Sequence, residues 1–533
     1  MIIALLYALN AAAFLAAFIL SQIDSLHFFQ LNSYRFDTHF KWIFKNFSRY
    51  LPHNILTVLM LIAVLFEYSI QLKLIVTLPL FLLAIYYERP KKAKKPLVYT
   101  ARVKRMLVTT GVLLCAGLAL CTLTYISLFD NQPLLQPGKE TYALVILILM
   151  YGFSQFVVLI VNLVNKPMEK SINLHYTLDA KRILRACDGL VVIGVTGSYG
   201  KTSVKYYLNT LLRAKYNVLM TPESYNTPMG VVKTIRGSLK PTHEIFICEM
   251  GAKWVGDIKE LCNIVHPHHG VITSIGPQHL ETFKSLERVM KTKFELADAL
   301  PEHGMLFLNG DDENIRAHGC NRPYFTYTIG GRGNYTATDV SVSDRGTTFT
   351  VTAPNGERET YSTRLIGRHN VLNITGAIAV ANQMGIPLAD LKGQVRKLEG
   401  APHRLELSEK NGVTIIDDAY NANPSGTKAA LEALSLFDGY KILVTPGMVE
   451  LGEQQEELNR VFGENAAAVC DYVVLVGQKQ AVPIAAGLKA RAYPDEKMFV
   501  ADTIQQALAH VYALTTDGRK KVILLENDLP DNY

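Results

Sequence analysis

Long apolar stretches with few charges dominate the first 165 residues, and they restrict what the chain can fold into more than any other feature. They run over about 2–20, 53–70, 73–88, 105–128 and 141–162. Most approach the roughly 20 residues that cross a hydrocarbon core as a helix. No water reaches that core, so every backbone N–H and C=O must be bonded within the segment, which leaves helices as the open solution. The same runs as buried helices of a soluble domain would need an unusually large core. Residues 2–20 lack a basic leading region and a small-residue cleavage site, so they read as a retained span rather than a signal peptide.

Charge orients the spans, because Lys and Arg collect on cytoplasmic loops. Residues 21–52 carry Arg35, Lys41, Lys45 and Arg49, and the loop after the third run carries Arg89, Lys91, Lys92, Lys94, Lys95, Arg102, Lys104 and Arg105. The loop at 129–140 has only Lys139. Five spans with the N-terminus outside place both basic loops, and everything after residue 165, in the cytoplasm. Glu67, Gln71 and Lys73 fall between the second and third runs, where a tight turn would hold them at an interface. The stretch His27–Tyr50 mixes Phe28, Phe29, Phe36, Phe40, Trp42, Phe44 and Phe47 with basic residues, which fits either an interfacial helix or packing between spans.

The net charge of +7 (54 Lys and Arg against 47 Asp and Glu) owes much to the basic loop, which favours a membrane surface over nucleic acid as partner. The seven cysteines form no CxxC pair and no zinc-like spacing, as expected of buried thiols in a reducing compartment. With 533 residues, domains of about 100–200 residues give roughly three: a transmembrane helical domain 1–165, a central nucleotide domain 166–400 and a C-terminal domain 401–533. The fold class is α/β behind a helical membrane region of about five spans.

Leu190 to Gly194 reads as a short buried strand, and Lys201 onward (Thr202, Val204, Tyr207, Leu208, Leu211, Leu212) as an amphipathic helix. Between them, Gly194, Gly197 and Gly200 let backbone N–H groups turn toward a phosphate, with the helix N-terminus behind them. Lys201 and Thr202 stand where a phosphate loop places its phosphate and magnesium contacts. Val195 occupies the first-glycine position of the strict GxxxxGK[ST] pattern. A purely structural turn between strand and helix is the bland alternative.

Val195-Thr-Gly-Ser-Tyr-Gly-Lys-Thr202 resembles the phosphate loop of the Mur ligases and folylpolyglutamate synthases, and an ordered series of segments continues the likeness through about 180–470. The type most similar is MurF, which joins D-alanyl-D-alanine to a UDP-muramoyl peptide. Thr221-Pro-Glu-Ser-Tyr-Asn226-Thr227 resembles that family's asparagine-rich loop, and makes Asn226 and Thr227 substrate candidates. Phe246-Ile-Cys-Glu249 reads as a strand delivering one carboxylate to the C-terminal edge of a sheet, where α/β ligand sites form. The resemblance makes Glu249 and His279, in Gln278-His279-Leu280, metal ligands beside Thr202, and makes Lys293 the counterpart of a carbamylated lysine. A carbamate would turn that amine into an oxygen donor. A solvated helix charge is the bland reading of Lys293. ATP contacts are implied for Gly197, Ser198, Tyr199, Gly200, Lys201, Thr202, Ser203, Asn309, His369, Asn370, Asn373, Arg404 and Asp418. Asn370 and Asn373 could also cap a helix, and 333–364 reads as a small β insertion with a turn at Asn355-Gly356.

Strands alternating with helical patterns after residue 400 imply a Rossmann-like C-terminal domain. There Asp417-Asp418-Ala-Tyr420-Asn421-Ala-Asn423-Pro424 resembles the MurF-type DDxYNANP, which carries Tyr420, Asn421 and Asn423 over as substrate contacts. Arg404 and Asp418 stand in a different domain from the phosphate loop, so the resemblance implies closure to assemble the site. The ending Leu524–Tyr533 departs from the lysine- and glycine-containing pattern of the family.

The implied activity is ATP-dependent amide-bond formation of the acid–amino-acid ligase type (EC 6.3.2), with two magnesium ions and the catalytic set Lys201, Glu249, His279, Lys293 and Arg404. Membrane spans stand in place of the family's UDP-binding domain, so a lipid-linked or membrane-proximal cell-wall peptide is the expected acyl substrate at a bacterial-type inner membrane. A poly-γ-glutamate-type polymer is the alternative. A transport ATPase or an inactive scaffold is the reading from another class, disfavoured by the motif series and by the lack of charged residues marking a path through the spans. Oligomeric state and the identity of either substrate are not legible.

Overall fold

The computed structural model describes residues 2–66, 68–90, 95–129, 137–343, 345–410, 412–419, 422–449 and 451–527. Two compact units meet within one helix, the first ending at Leu174 and the second covering His175–Leu529.

The first unit is built of α1 (Ile2–Leu31), α2 (Phe36–Lys45), α3 (Phe47–Leu65), α4 (Ile70–Glu88), α5 (Ala101–Phe129), α6 (Pro137–Gly152) and the first part of α7 (Ser154–Arg185). Four of these helices (α1, α3, α4 and α5) are long and apolar enough to cross a membrane; α6 with α7, bent by 72°, makes a fifth. The five apolar runs thus each fall on helix. Lys91, Lys92, Lys94 and Glu67, used above to orient the spans, lie outside the described residues.

The two faces of α2 differ, one packed against neighbouring helices and the other exposed. His39 and Ile43 are buried and Trp42 stacks on Phe28 at 4.5 Å, while Phe36, Phe40, Phe44 and neighbouring Phe47 remain exposed. The i, i+4, i+8 spacing of the exposed rings puts them on one stripe. Lys73 corrects the expectation of an interfacial turn. It lies one turn inside α4, buried, and its Nζ donates to the Thr141 hydroxyl at 3.1 Å. His53 Nδ1 and Glu88 Oε1 stand 2.8 Å apart, and the Tyr151 hydroxyl donates to the same oxygen. Lys73 and His53 are therefore buried in this unit after all, each satisfied by a neighbour from another helix.

The second unit holds two sheets. Strands β1 (Val191–Thr196), β2 (Val218–Met220), β3 (Ile245–Glu249), β4 (His269–Ile272), β5 (Leu306–Asn309), β6 (Phe325–Ile329), β7 (Tyr335–Ser343), β8 (Gly346–Thr352) and β9 (Arg358–Thr363) form a nine-stranded sheet. Its order is β2-β3-β1-β4-β5-β6-β7-β8-β9. It is parallel up to the β6–β7 pair and antiparallel from β7 to β9, so the expected β insertion extends the main sheet instead of standing apart. Separate apolar clusters cover its two faces, one led by Leu208, Leu211 and Ile378, the other by Phe246, Leu261 and Leu296. Near-continuous burial of β1 and β3 follows from that double coverage.

The second sheet contains β10 (Glu406–Lys410), β11 (Val413–Asp418), β12 (Tyr440–Thr445), β13 (Tyr472–Val476), β14 (Met498–Ala501) and β15 (Lys521–Glu526), in the order β10-β11-β15-β12-β13-β14. All pairs are parallel except the β10–β11 hairpin, as the Rossmann-like expectation requires. Four of the seven cysteines (Cys187, Cys248, Cys262, Cys470) are buried, whereas Cys115 is exposed and Cys121 and Cys320 half-buried, which corrects the uniform burial expected.

Two helices in this half, Gln455–Ala467 and Ala481–Ala490, cross so closely that a Cβ at Gly487 would stand 1.9 Å from the Arg460 carbonyl oxygen. Backbone cannot yield as a side chain can. Gly487→Ala is expected to cost about 1–3 kcal/mol through overpacking, read as a lower melting temperature. Gly393→Ala, with nothing within 4 Å of the new methyl, leaves it unchanged or slightly raised.

Candidate active site

The site grows out of the middle of the first sheet. In register, Val195 of β1 stands beside Glu249 of β3, and Thr196 beside Ile272 of β4. The ends of three parallel strands therefore open on one edge, where ligands of α/β sheets bind. The turn after β1 leads into α8 (Lys201–Leu212), whose N-cap is Gly200 at φ +78°. That left-handed conformation suits glycine, and a Cβ there would also stand 2.9 Å from Asn373 Oδ1.

The turn after β4 holds the loop in place. Ser198 N donates to the Ser274 carbonyl at 2.7 Å, Tyr199 N to Ser274 Oγ at 2.9 Å, and the Tyr199 hydroxyl to the Pro277 carbonyl at 2.9 Å. Ser198 Oγ donates to the Gly276 carbonyl and accepts from Gly276 N. Lys201 Nζ donates to the Gly197 and Ser198 carbonyls at 2.7 and 2.9 Å. Burial pushes its pKa down to about 8, against the opposing pull of Glu249, so it stays mostly protonated at neutral pH.

Glu249, 1% exposed, is the centre. Its Oε1 accepts from Thr202 Oγ1 at 3.2 Å and from Asn226 Nδ2 at 3.0 Å. Its Oε2 lies 3.0 Å from Lys205 Nζ, an ion pair whose alignment falls short of a hydrogen bond. Removing one member of such a buried pair costs about 3–5 kcal/mol. Sequence reading missed Lys205. The signal was present: a lysine three residues after Thr202, hence on the same helical face, at a position next to the core residue Val204.

Lys293 lies in the helix Leu286–Ala299, 1% exposed, and burial together with the charge of Lys201 drives its pKa well below the ordinary lysine value. That shift favours the uncharged amine, the form that can react with carbon dioxide. His279 takes φ +52° at the start of the short helix Leu280–Phe283, and its carbonyl accepts from Thr282 and Phe283.

Asn370 and Asn373 are not caps: Gly367 occupies the N-cap of the helix Arg368–Gln383, without a side-chain cap. The Asn370 amide instead donates to the Ile366 carbonyl and accepts from the Tyr207 hydroxyl at 2.7 Å, tying that helix to α8. Asn309 is likewise engaged, donating to the Thr273 carbonyl and accepting from Asp311 N. Burial lowers His369 to about 4, leaving a neutral imidazole. Ser203 is half-buried in the first turn of α8. Thr227 and Asn423 cap the helices Pro228–Ser238 and Pro424–Ser435 through their side-chain oxygens. Tyr420 and Asn421 lie outside the described residues.

Arg404 and Asp418 belong to the second sheet's half of this unit, yet the guanidinium is near enough for its charge to act on both Lys201 and Asp418. Asp418 N-terminal neighbours aside, its partner in register is Glu526, at the end of β15. Glu526 is fully buried, with the Asp418 carboxylate as its neighbour.

Residues 195–381 match the Mur ligase middle domain, and residues 403–525 match the Mur ligase glutamate ligase domain. The chain is 33% identical over 306 residues to the UDP-N-acetylmuramoyl-tripeptide–D-alanyl-D-alanine ligase of Escherichia coli (strain K12), covering 56% of this chain and 67% of that one. The chain belongs to the Mur ligase family. The corresponding ligase of Bacillus subtilis (strain 168) is 36% identical over 279 residues, 52% of this chain and 60% of its own length. This Mur ligase thus spans about three-fifths of that curated relative. Among solved structures, MurF from Thermotoga maritima in complex with ADP superposes with a TM-score of 0.59 at 28% identity, covering 67% of this chain and 80% of that one. MurF from Acinetobacter baumannii gives 0.61 at 27%, covering 67% and 77%.

Burial and the adjacent Asp418 charge raise the Glu526 pKa well above the ordinary carboxylate range. A carboxyl whose folded pKa exceeds its unfolded value loses stability as pH climbs from the unfolded value through the folded one. Glu526→Gln is therefore expected to raise the melting temperature at pH 8, by roughly 2–4 °C per kcal/mol recovered, and to change it less at pH 5, nearer the carboxyl's unfolded value. A variant that melts lower at both pH values would contradict this account of Glu526.

Proposed function

We propose that this chain is an ATP-dependent carboxylate–amine ligase working through an acyl phosphate. The observation that carries the reading is the meeting of Thr202, Asn226 and Glu249 beside the phosphate loop, in a chain similar to ligases of this type. In functional terms we assign 1–165 to a membrane region, 166–400 to ATP binding and 401–533 to closure over the nucleotide and the amine.

Glycine-loop amides Gly197–Thr202 and Lys201 would receive the phosphates, with Ser203, Asn309, His369, Asn370, Asn373 and Asp418 around the nucleoside and Arg404 approaching the γ-phosphate. Oxygen donors suit magnesium, and Thr202 and Glu249 supply them. We assign His279 and a carbamylated Lys293 to a second ion; the burial of the Lys293 amine, which lowers its pKa, supports that chemistry. Magnesium would contribute neutralisation of developing phosphate charge.

A substrate carboxylate oxygen attacks the γ-phosphorus, and ADP leaves. The amine nitrogen then attacks the acyl carbon and loses a proton, and phosphate departs. Lys201 and Arg404 offset charge through both steps by fixed placement. Asn226, Thr227, Tyr420, Asn421 and Asn423 are assigned to the substrates. We place the catalytic half at the cytoplasmic face of a bacterial inner membrane, acting on a lipid-linked or membrane-proximal cell-wall peptide. A growing poly-γ-glutamate-type chain is the second substrate class.

The test is ADP release by the full chain in detergent, first with UDP-N-acetylmuramoyl-tripeptide and D-alanyl-D-alanine, then with lipid-linked peptide. Amine-dependent release is expected, with Lys201→Ala lowering it by about 100-fold or more. Hydrolysis indifferent to amine would sink the ligase reading in favour of a transport ATPase. Efficient turnover of the soluble UDP-linked precursor would remove the lipid-linked substrate and leave the ligase.

A further inference from the structure

The steps above give no task to Lys205, although it is the most completely buried cation of the site, at 0% exposure. Its Nζ lies 3.0 Å from Glu249 Oε2. It also donates to the Glu223 carbonyl, in the same loop that carries Asn226. Glu249 is thereby divided between two sets of partners. Oε2 faces Lys205, while Oε1 faces Thr202 and Asn226. A carboxylate gripped at both oxygens cannot swing to offer both to one ion.

We propose that Lys205 is a positioning residue that presents Glu249 to magnesium through Oε1 alone and, by matching its charge, prevents the metal from binding ahead of the nucleotide. The proposal rests on reading this site as a magnesium–nucleotide site. Magnesium gives up its water reluctantly and needs negative charge to do so. Approaching Oε1, a bare ion meets a carboxylate already neutralised from 3.0 Å away, with Lys201 and Arg404 acting on the same region. A polyphosphate brings the missing negative charge and satisfies those cations. Oε1 then completes the coordination without Lys205 letting go. With an uncharged side chain at 205, Glu249 would keep only its Oε1 contacts to Thr202 and Asn226 and lose its nearest cation, leaving Oε2 and an unmatched charge as a ready ligand for a divalent cation alone.

Manganese(II) is the probe, with free ion followed by electron paramagnetic resonance on the full chain in detergent, with and without ADP. Wild type is expected to take up manganese only when ADP is present. Lys205→Met is expected to bind manganese without nucleotide at least about tenfold more tightly than wild type, and Lys205→Arg, which keeps the charge, to restore the dependence on ADP. Tight manganese binding by wild type alone overturns the proposal. So does equal nucleotide-free affinity in wild type and a folded Lys205→Met protein, with folding checked by a cooperative melt. Should Lys205→Met not fold, Lys205→Gln serves the same comparison, and the wild-type arm stands by itself. Failure of ADP to bind wild type would strike the nucleotide reading, while the nucleotide-free manganese arm would still decide the role of Lys205.

Discussion

A single buried carboxylate organises the catalytic half of this protein. Glu249 is nearly sealed from solvent, and an ionised carboxylate so placed must be paired and hydrogen-bonded to be tolerated. Its partners come from separate segments: Thr202 and Lys205 from α8, and Asn226 from the loop before the helix Pro228–Ser238. The pairing demand thus ties the phosphate-loop helix, the asparagine loop and the end of β3 into one body. Parallel register makes this possible, because β3 lies directly beside β1 and both end at the same level.

The same rule governs the helical unit. Asn10, Thr77 and Lys73 are buried there and satisfied by hydrogen bonds across helices, and Arg105 meets Glu169 through two bonds at 2.7 and 2.9 Å. Such groups are costly in an apolar environment unless partnered. They fix which helices pack together, while the apolar surface of α3, α4 and α5 stays largely outward. The hydrophobicity of these helices is accordingly spread around them, as in helices long and apolar enough to cross a membrane.

The second sheet contributes charge at a distance. Arg404 enters just before β10 and influences Lys201, while the Asp418–Glu526 pair ends β11 and β15 side by side. Two carboxyls in register and out of water compete for protons, and the charge of Arg404 opposes that tendency at both. Glu526 lies in the segment Leu524–Tyr533, where the chain departs from the family's usual ending.

Much of this was legible in residue order. Apolar run lengths made the helices of the first unit legible, because long runs of apolar residues with few charges or breakers favour continuous helix. Strand, glycine turn and Lys201-Thr202 in sequence determined the phosphate loop, since its chemistry is local and written in adjacent residues. The C-terminal alternation of strands and helices was equally readable. Tertiary structure decided what depends on distant partners. It buried Lys73 against Thr141, turned one face of α2 inward and the other out, and merged the 333–364 strands into the main sheet. It took Asn370 away from capping and gave it to Tyr207. Above all, it paired Lys205 with Glu249, residues 44 positions apart whose meeting follows from strand order and register, quantities that no local pattern of side chains records.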